Sequence, residues 1–138
     1  MNAQQIRTEL DSDAATYGPL SDGRCADFLN DKASAKAAPI NRRAIPMYEV
    51  LGAVDWSEFI GAGLDAAKRQ AFQILTSTET LDAGSATVRA AFTAIFPAGN
   101  TRTALAALAS RQGSRAEVLW GDGARVSHDQ VAEARRLP

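Results

Sequence analysis

The side chains of this sequence that could support catalysis or metal binding are few and far apart. His128 is the only histidine and Cys25 is the only cysteine. A structural zinc site needs four cysteine or histidine ligands, so these two residues cannot complete one within a single chain. We interpret Cys25 as a small buried hydrophobic residue. The sequence therefore predicts no metal site and no bound cofactor.

A serine hydrolase site would have to use His128 as its base. The Gly-x-Ser-x-Gly turn that presents a nucleophilic serine in many hydrolases does not occur in the sequence. His128 and Asp129 directly follow Ser127, at the start of a segment with the pattern of a helix. We interpret both side chains as first-turn residues of that helix rather than as parts of a catalytic site.

Paired carboxylates are the remaining groups with catalytic potential. Asp11 with Asp13, and Asp27 with Asp31, could act as acid and base partners. Their short polar surroundings favour helix caps and solvated surfaces instead. The Gly-Ala-Gly segment at 61–63 lacks the third glycine and the preceding strand of a dinucleotide-binding turn, and no phosphate-binding loop occurs. The sequence consequently predicts a protein that is not an enzyme.

Composition is typical of an ordinary globular domain. Of the 138 residues, 46% are hydrophobic and 22% are charged, and the formal net charge is −1. A single cysteine allows no internal disulfide, so the fold does not depend on an oxidising compartment. No stretch approaches the roughly 20 apolar residues of a membrane span, and the polar start lacks the apolar region of a signal peptide. We expect a protein kept in the cytoplasm, or in a particle assembled there, with no membrane partner.

Basic residues are spread too evenly to indicate nucleic-acid binding. From residue 102 onward six arginines stand against four acidic residues, and the adjacent arginine pairs are Arg42-Arg43 and Arg135-Arg136. Proteins that bind a duplex usually concentrate Lys and Arg on one surface, because contacts to phosphate supply most of the affinity. Nucleic acid is therefore not the expected partner.

Helix start signals are the strongest local pattern in the sequence. Ser114 with Glu117, and Ser127 with Gln130, have the spacing of a capping box. In that motif the first side chain accepts a hydrogen bond from the third N–H, and the third side chain bonds back to the first N–H. The segment 55–58 (Asp-Trp-Ser-Glu) has the same spacing. We expect a short helix to begin at each of the three places.

Apolar periodicity extends the helical prediction over most of the chain. The i, i+3, i+4, i+7 spacing runs from Leu64 to Leu75 and from Val88 to Phe96. Further helices are expected over about residues 3–10, 21–30, 46–54 and 101–111. The predicted single core contains Leu75, Val88, Phe92, Ile95, Leu105 and Leu108.

The predicted fold class is all-α, a compact bundle of about six to eight short helices. Residues 1–138 are expected to form a single helical domain. Its first part, residues 1–31, should be an N-terminal helical hairpin that a linker, 32–45, joins to the rest. An extended segment is expected near residues 38–45, because the residue before Pro46 is pushed away from helical backbone angles.

The two tryptophans allow two interpretations. Each of Trp56 and Trp120 could anchor a short helix onto the core, which we favour, or could belong to a protein interface, where large aromatic side chains are enriched. The turn Gly121-Asp122-Gly123 beside Trp120 should be exposed. Trp120 could therefore also lie at the edge of a contact surface.

The order of these elements resembles small proteins encoded among the virion and assembly genes of tailed bacteriophages. The matching residues occupy caps, turns and core positions and cover most of the chain. They are Asp13, Gly18, Asp22, Ala26 and Leu29-Asn30; Tyr48-Glu49; Phe96, Gly99, Thr101-Arg102 and Leu105; Ser114-Arg115-Ala116-Glu117; and Val126 to Ala132. The resemblance implies a bacteriophage virion structural protein or a viral assembly factor, near the capsid, neck or tail, that acts through protein–protein interaction.

The implied partners are other virion or assembly proteins, with the chain itself a homo-oligomer or ring member in a virion assembled in the host cytoplasm. We expect the contact surface in the polar segments 32–43 and 120–125. The candidate interaction residues are Arg42, Arg43, Trp120, Asp122 and Arg125. The alternative function is a small regulatory or host-interaction module, including a helix-turn-helix DNA binder that uses the last two helices.

Overall fold

The computed structural model describes residues 1–60 and 64–138. In this described part, ten helices hold 59% of the residues and four short strands hold 9%. The prediction of a mostly helical protein is confirmed, whereas the all-α class is too strict. The strands are two to four residues long. Segments this short do not show the alternation of apolar and polar side chains that predicts a strand.

The elements follow one another through short connections. The helices are α1 Ala3–Ser12, α2 Ala14–Tyr17, α3 Asp22–Asn30, α4 Met47–Ala53, α5 Trp56–Ile60, α6 Ala66–Leu75, α7 Ala86–Ile95, α8 Asn100–Ala109, α9 Arg115–Trp120 and α10 His128–Arg136. The strands are β1 Ala38–Asn41, β2 Ile45–Pro46, β3 Thr80–Leu81 and β4 Ser110–Gly113. None of the described helices is long and apolar enough to cross a membrane.

The chain divides into two compact units, each with its own hydrophobic cluster. The terminal unit contains Met1–Ile40 and Gln112–Pro138, and the central unit contains Asn41–Arg111. The single predicted core therefore accounts only for the central unit. Of its six members, Phe92 and Ile95 are buried, and the other four are half-buried and pack against the cluster. That the whole chain is one domain stays a prediction.

In the terminal unit, α10 packs against both α1 and α3, and α9 packs against α3. The largest fully buried side chains of this unit are Tyr17, Ile6, Leu29, Val131 and Cys25, which confirms the interpretation of the cysteine. Asn30, the last residue of α3, holds the loop before α10. Its side chain donates to the Val126 carbonyl at 2.8 Å and accepts from the Val126 N–H at 2.9 Å.

In the central unit, aromatic contacts converge on Phe72 of α6. Its ring meets the rings of Phe92 and Phe96 edge to face, with centroids 6.5 and 5.9 Å apart. The Phe59 ring of α5 lies 4.9 Å from it. Edge-to-face contact is favourable because the edge of an aromatic ring is electropositive and its face is electronegative. The apolar stripes predicted on α6 and α7 thus pack against each other.

Two strand pairs form where the sequence predicted a linker and a helix end. β1 pairs with β4, and β2 pairs antiparallel with β3, with Ile45 opposite Leu81. β1 and Ile45 of β2 lie within the segment expected to be extended, whereas Pro46, expected to begin a helix, ends β2, and α4 begins at Met47. The helix predicted to reach about Arg111 instead ends at Ala109, because Ser110 takes extended backbone angles and begins β4.

Most of the predicted helix starts are confirmed. Ser21 caps α3, and complete capping boxes form at Ser114 and Ser127. In the box at Ser114, the Glu117 carboxylate accepts from the Ser114 N–H at 3.0 Å. The helix expected at 55–58 begins at Trp56, directly after Asp55, but Glu58 does not close the predicted box, for a reason given below. The expected end of α5 at residues 61–63 lies outside the described residues.

Candidate functional site

A buried ionic network centres on Glu9 of α1, a side chain only 6% exposed. Its Oε1 accepts hydrogen bonds from Tyr17 Oη at 2.7 Å and Arg115 Nε at 2.8 Å, and its Oε2 accepts from Arg115 Nη2 at 2.9 Å. Lys36 Nζ lies 3.7 Å from Glu9 Oε1 and 2.9 Å from Asp13 Oδ2. We call these five residues the Glu9 network, and it ties α1 and α2 to α9.

The pKa shifts of Glu9 and Tyr17 keep Glu9 ionised and Tyr17 neutral at pH 7. Burial acts against the ionised form of Glu9, but hydrogen bonds from Arg115 and Tyr17 and the charges of Arg115 and Lys36 outweigh it and hold the pKa of Glu9 below its usual value. Burial, reinforced by the neighbouring Glu9, raises the pKa of Tyr17. A general acid or base works best with a pKa near the working pH. The shifts of Glu9 and Tyr17 away from neutrality favour a structural role.

The carboxylates and the histidine considered for catalysis are spread over the terminal unit. Asp13 caps α2, so the cap interpretation is confirmed for this residue. Asp31 is exposed, and its side chain accepts from the Ala33 N–H at 2.8 Å in the turn after α3. Asp11 and Asp27 are exposed, and His128 is an exposed first residue of α10. Among the described residues, no group of three or more His, Cys, Asp or Glu side chains could hold a metal ion.

Arg42 makes contacts inside the central unit. Its Nη1 donates to Glu49 Oε2 at 2.8 Å and its Nη2 to Glu49 Oε1 at 3.3 Å, and Nη1 also lies 3.4 Å from the Leu108 carbonyl. Hydrogen bonding to Arg42 lowers the pKa of Glu49. The neighbouring Arg43 is exposed. The structure therefore places Arg42, expected to face a partner, in a paired intramolecular position.

The other three predicted interaction residues lie together at the end of α9 and in the turn after it, in the terminal unit. Trp120 is half-buried and packs against the hydrophobic cluster, as the core interpretation predicted. Asp122 is half-buried and Arg125 is exposed. The turn that carries them is held by the buried Glu117, whose Oε1 accepts from the Gly123 N–H at 3.1 Å. Arg125 is the most accessible of the three.

Trp56 combines both interpretations. Its ring contacts Phe59 and the buried Phe72 edge to face, as expected of an anchor for a short helix, yet 44% of the residue is exposed. Trp56 belongs to a group of exposed hydrophobic residues that we call the apolar set. Its members are Tyr48, Leu51, Trp56, Ile60 and Ile74.

The apolar set lies on three successive helices of the central unit. Tyr48 and Leu51 are three residues apart on α4, and Trp56 and Ile60 are four apart on α5, so each pair shares one side of its helix. Ile74 on α6 is 65% exposed and follows Phe72, the residue against which Trp56 packs. Exposed apolar side chains are ordinary when scattered singly, whereas contiguous ones mark contact surfaces. The two pairs on α4 and α5 are each neighbours on one side of a helix.

The segment 55–58 caps its own helix through Asp55, whose Oδ1 accepts from the Ser57 N–H at 3.0 Å, and it also binds the start of α8. Glu58 accepts hydrogen bonds from the Asn100 N–H at 2.6 Å and the Thr101 N–H at 3.1 Å. The Asp55 N–H, which Glu58 should have bound in a capping box, donates to Thr101 Oγ1 at 2.9 Å. Gly99 begins α8 without a side chain that could cap it. Glu58 supplies the missing acceptors.

Sequence reasoning missed the Glu9 network and the apolar set, although each left a signal. Glu9 lies three residues after Ile6 and next to Leu10, on the apolar side of α1, so its carboxylate had to be buried with a partner. Ile74 lies beside the apolar stripe of α6 and not on it. An isoleucine at such a position lies outside the side of the helix that packs against the core.

Comparison with known proteins finds no matching family model, no similar curated protein and no similar solved structure.

Proposed function

We propose that the protein is a structural or assembly component of a tailed bacteriophage particle and acts through protein–protein contact. The single observation that carries the contact role is the apolar set, which leaves Trp56, Ile60 and Ile74 largely in water. The particle context rests on the resemblance of the sequence to virion and assembly proteins. The partner is a second protein chain of the assembly, including a further copy of this chain.

The apolar set has the chemistry of an interface centre. Tryptophan and tyrosine are enriched among residues that dominate binding energy, because they bury a large area with few rotatable bonds. Trp56 is held from one side by Phe59 and Phe72, so little side-chain freedom remains to be lost on binding. In a ring or other symmetric oligomer, each copy would present the same surface, and weak contacts would add.

The contacts of α10 favour assembly over the alternative of DNA binding. A recognition helix presents its basic and amide side chains to the major groove. Arg135 instead donates to Asp22 Oδ1 at 2.7 Å and to the carbonyls of Tyr17 and Leu20 at 2.9 Å each. Val131 and Ala134 of the same helix are fully buried. These groups of α10 are engaged within the terminal unit.

The proposal is tested by quantitative mass spectrometry of purified particles and assembly intermediates from the phage that encodes the chain. We expect several copies per particle or intermediate. The double variant Trp56→Ser with Ile60→Ser should incorporate less even at a temperature where it is fully folded, although the loss of the Trp56 contacts with Phe59 and Phe72 lowers its melting temperature. The control is Val118→Ser with Leu119→Ser, because both residues are apolar and exposed, at 36% and 38%, on α9 in the terminal unit.

Two outcomes would defeat the proposal. The chain could be absent from both particles and intermediates, which would remove the particle context. Alternatively, the Trp56 and Ile60 variant could incorporate as well as the wild type, which would show that the apolar set is not the contact surface.

A further inference from the structure

A cavity of about 180 Å³ opens on the central unit, bordered by β2, β3, α7 and α8. Its floor is formed by buried apolar side chains that include Ile45, Val50, Leu81 and Phe92. Arg89 of α7 and Arg102 of α8 are exposed and line it as well. The cavity therefore combines an apolar interior with two cationic groups at its accessible side.

Neither guanidinium is neutralised by a carboxylate in the described part of the chain. Arg89 Nη1 donates to the carbonyls of Ala83 at 2.6 Å and Gly84 at 3.0 Å, and Arg102 Nη1 donates to the Pro97 carbonyl. These bonds hold each guanidinium in place and use one of its nitrogen atoms. A guanidinium carries five N–H donors, so Nε and Nη2 of each remain for an anion. None of the described residues that line the cavity is acidic.

We propose that this cavity is a binding site for a small apolar monocarboxylate. The apolar body of the ligand would occupy the space above Val50 and Phe92, and its carboxylate would accept charge-assisted hydrogen bonds from Arg89 or Arg102. Arginine suits this task because its planar donors match the two oxygens of a carboxylate. The proposal does not depend on the assembly role, which uses other residues.

The volume limits the size of the ligand. A cavity of about 150 Å³ lined by Leu, Ile and Phe holds one benzene molecule, and typical sites for drug-sized ligands exceed about 300 Å³. At about 180 Å³, the site fits a single aromatic ring or a short branched chain. Phenylacetate has this size and carries the required charge, so it is a suitable probe.

The test is a titration of the full chain with phenylacetate, followed through the backbone amide resonances by NMR. We expect saturable shifts at Val88, Phe92 and Leu105, which line the cavity. Phenylacetamide, which has the same shape without the charge, should bind roughly tenfold more weakly, since a hydrogen bond to a charged group is worth about 1.5 kcal/mol or more. The double variant Arg89→Gln with Arg102→Gln should lose the same factor.

Arg24→Gln is the matched control, because Arg24 is an exposed arginine of α3 in the terminal unit. It should bind phenylacetate as the wild type does. Should the double variant fold poorly, Arg89→Lys with Arg102→Lys keeps both charges but removes the planar donors, so its affinity should fall below that of the wild type while the preference for phenylacetate over phenylacetamide persists. The comparison of acid and amide on the wild-type chain needs no variant.

Three results would overturn the proposal. The first is equal affinity for phenylacetate and phenylacetamide, which would mean that the guanidinium groups do not recognise the carboxylate. The second is the absence of saturable shifts at cavity residues. The third is a shift of those resonances with protein concentration alone, which would show that another copy of the chain fills the cavity.

Discussion

A buried carboxylate is not by itself a sign of catalysis, and Glu9 illustrates why. Its two oxygens are matched by two donors from Arg115 and one from Tyr17, so the charge is compensated where it lies. Glu9 and Arg115 are far apart in sequence, and the contact between them joins the first part of the terminal unit to the second. No local pattern could have paired them. Only the burial of Glu9 could be predicted.

Replacing Glu9 should destabilise the fold through its partner. In Glu9→Gln the Arg115 guanidinium loses its counter-charge. We expect a loss of about 1–3 kcal/mol at pH 7, below the ~3–5 kcal/mol for breaking a fully buried pair, because Arg115 keeps some solvent contact. The measurement is chemical denaturation. Asp11→Asn on the same helix is the control, since Asp11 pairs with Arg7 at an exposed site and should cost less than about 0.5 kcal/mol.

The same pair predicts a pH dependence with a definite sign. The folded-state pKa of Glu9 lies below its ordinary value, so the unfolded chain binds the proton more tightly than the folded one. The stability from ionised Glu9 is then fully present above the ordinary pKa of about 4.3 and is lost as the pH falls through the lower folded value. The stability difference between wild type and Glu9→Gln should therefore shrink below about pH 4.5. A constant difference down to pH 3 would contradict this.

At the scale of elements, local signals predicted helix starts wherever both capping partners lie in one segment. Ser114 and Ser127 form the expected boxes, with all of their hydrogen bonds made within four residues. The segment 55–58 has the same spacing, but the Glu58 carboxylate accepts hydrogen bonds from the start of α8. Gly99 explains the difference: at φ 99° it begins α8 in a conformation that favours glycine, and it offers no side-chain acceptor. The unpaired N–H groups at the start of α8 therefore bind Glu58, which a local motif alone would have placed on the Asp55 N–H.

Replacing Thr101 tests whether the Asp55 N–H depends on an acceptor from α8. It is fully buried, and its Oγ1 is the acceptor for the Asp55 N–H. Thr101→Val keeps the shape but leaves that N–H without a partner, which should cost about 1–3 kcal/mol. Amide exchange should accelerate at Asp55 more than at the start of α7. Thr103→Val is the control, because Thr103 is exposed and its hydroxyl donates to the Gly99 carbonyl. An equal loss of stability in both variants would show that the Asp55 N–H does not depend on Thr101.

The short strands mark the limit of what periodicity can predict. β2 and β3 are two residues each, and their pairing places Ile45 against Leu81 across a long separation in sequence. β4 begins at Ser110, directly after α8 ends at Ala109, so no proline or turn residue separates the helix from the strand. Gly113 could be recognised only from its neighbour, since a Cβ there would lie 2.8 Å from the Ile40 side chain. Contacts between residues that are distant in sequence therefore determine the structure of these segments.

At the scale of the whole molecule, the central unit is an uninterrupted segment inserted into the terminal unit. The chain passes between the units at two places, within β1 and within β4. Apolar stripes in both units have the same helical spacing, so the sequence offered no reason to divide them. The prediction of a single domain and the observed pair of hydrophobic clusters lead to different expectations for a shortened chain.

Removing the central unit distinguishes a single domain from two units that fold independently. Residue Ile40 lies against Gly113, so a six-residue Gly-Ser linker can join residues 1–40 to 112–138 without strain. Each unit holds about half of the chain, more than the ~40 residues below which domains usually need disulfides or metals to fold. We expect the joined terminal unit and the isolated segment 41–111 each to show helical circular dichroism and cooperative thermal unfolding. A deletion of equal length over 51–121 removes parts of both clusters and should leave an unfolded chain. If the terminal and central pieces were equally unfolded, the two clusters would depend on each other and the chain would be one domain.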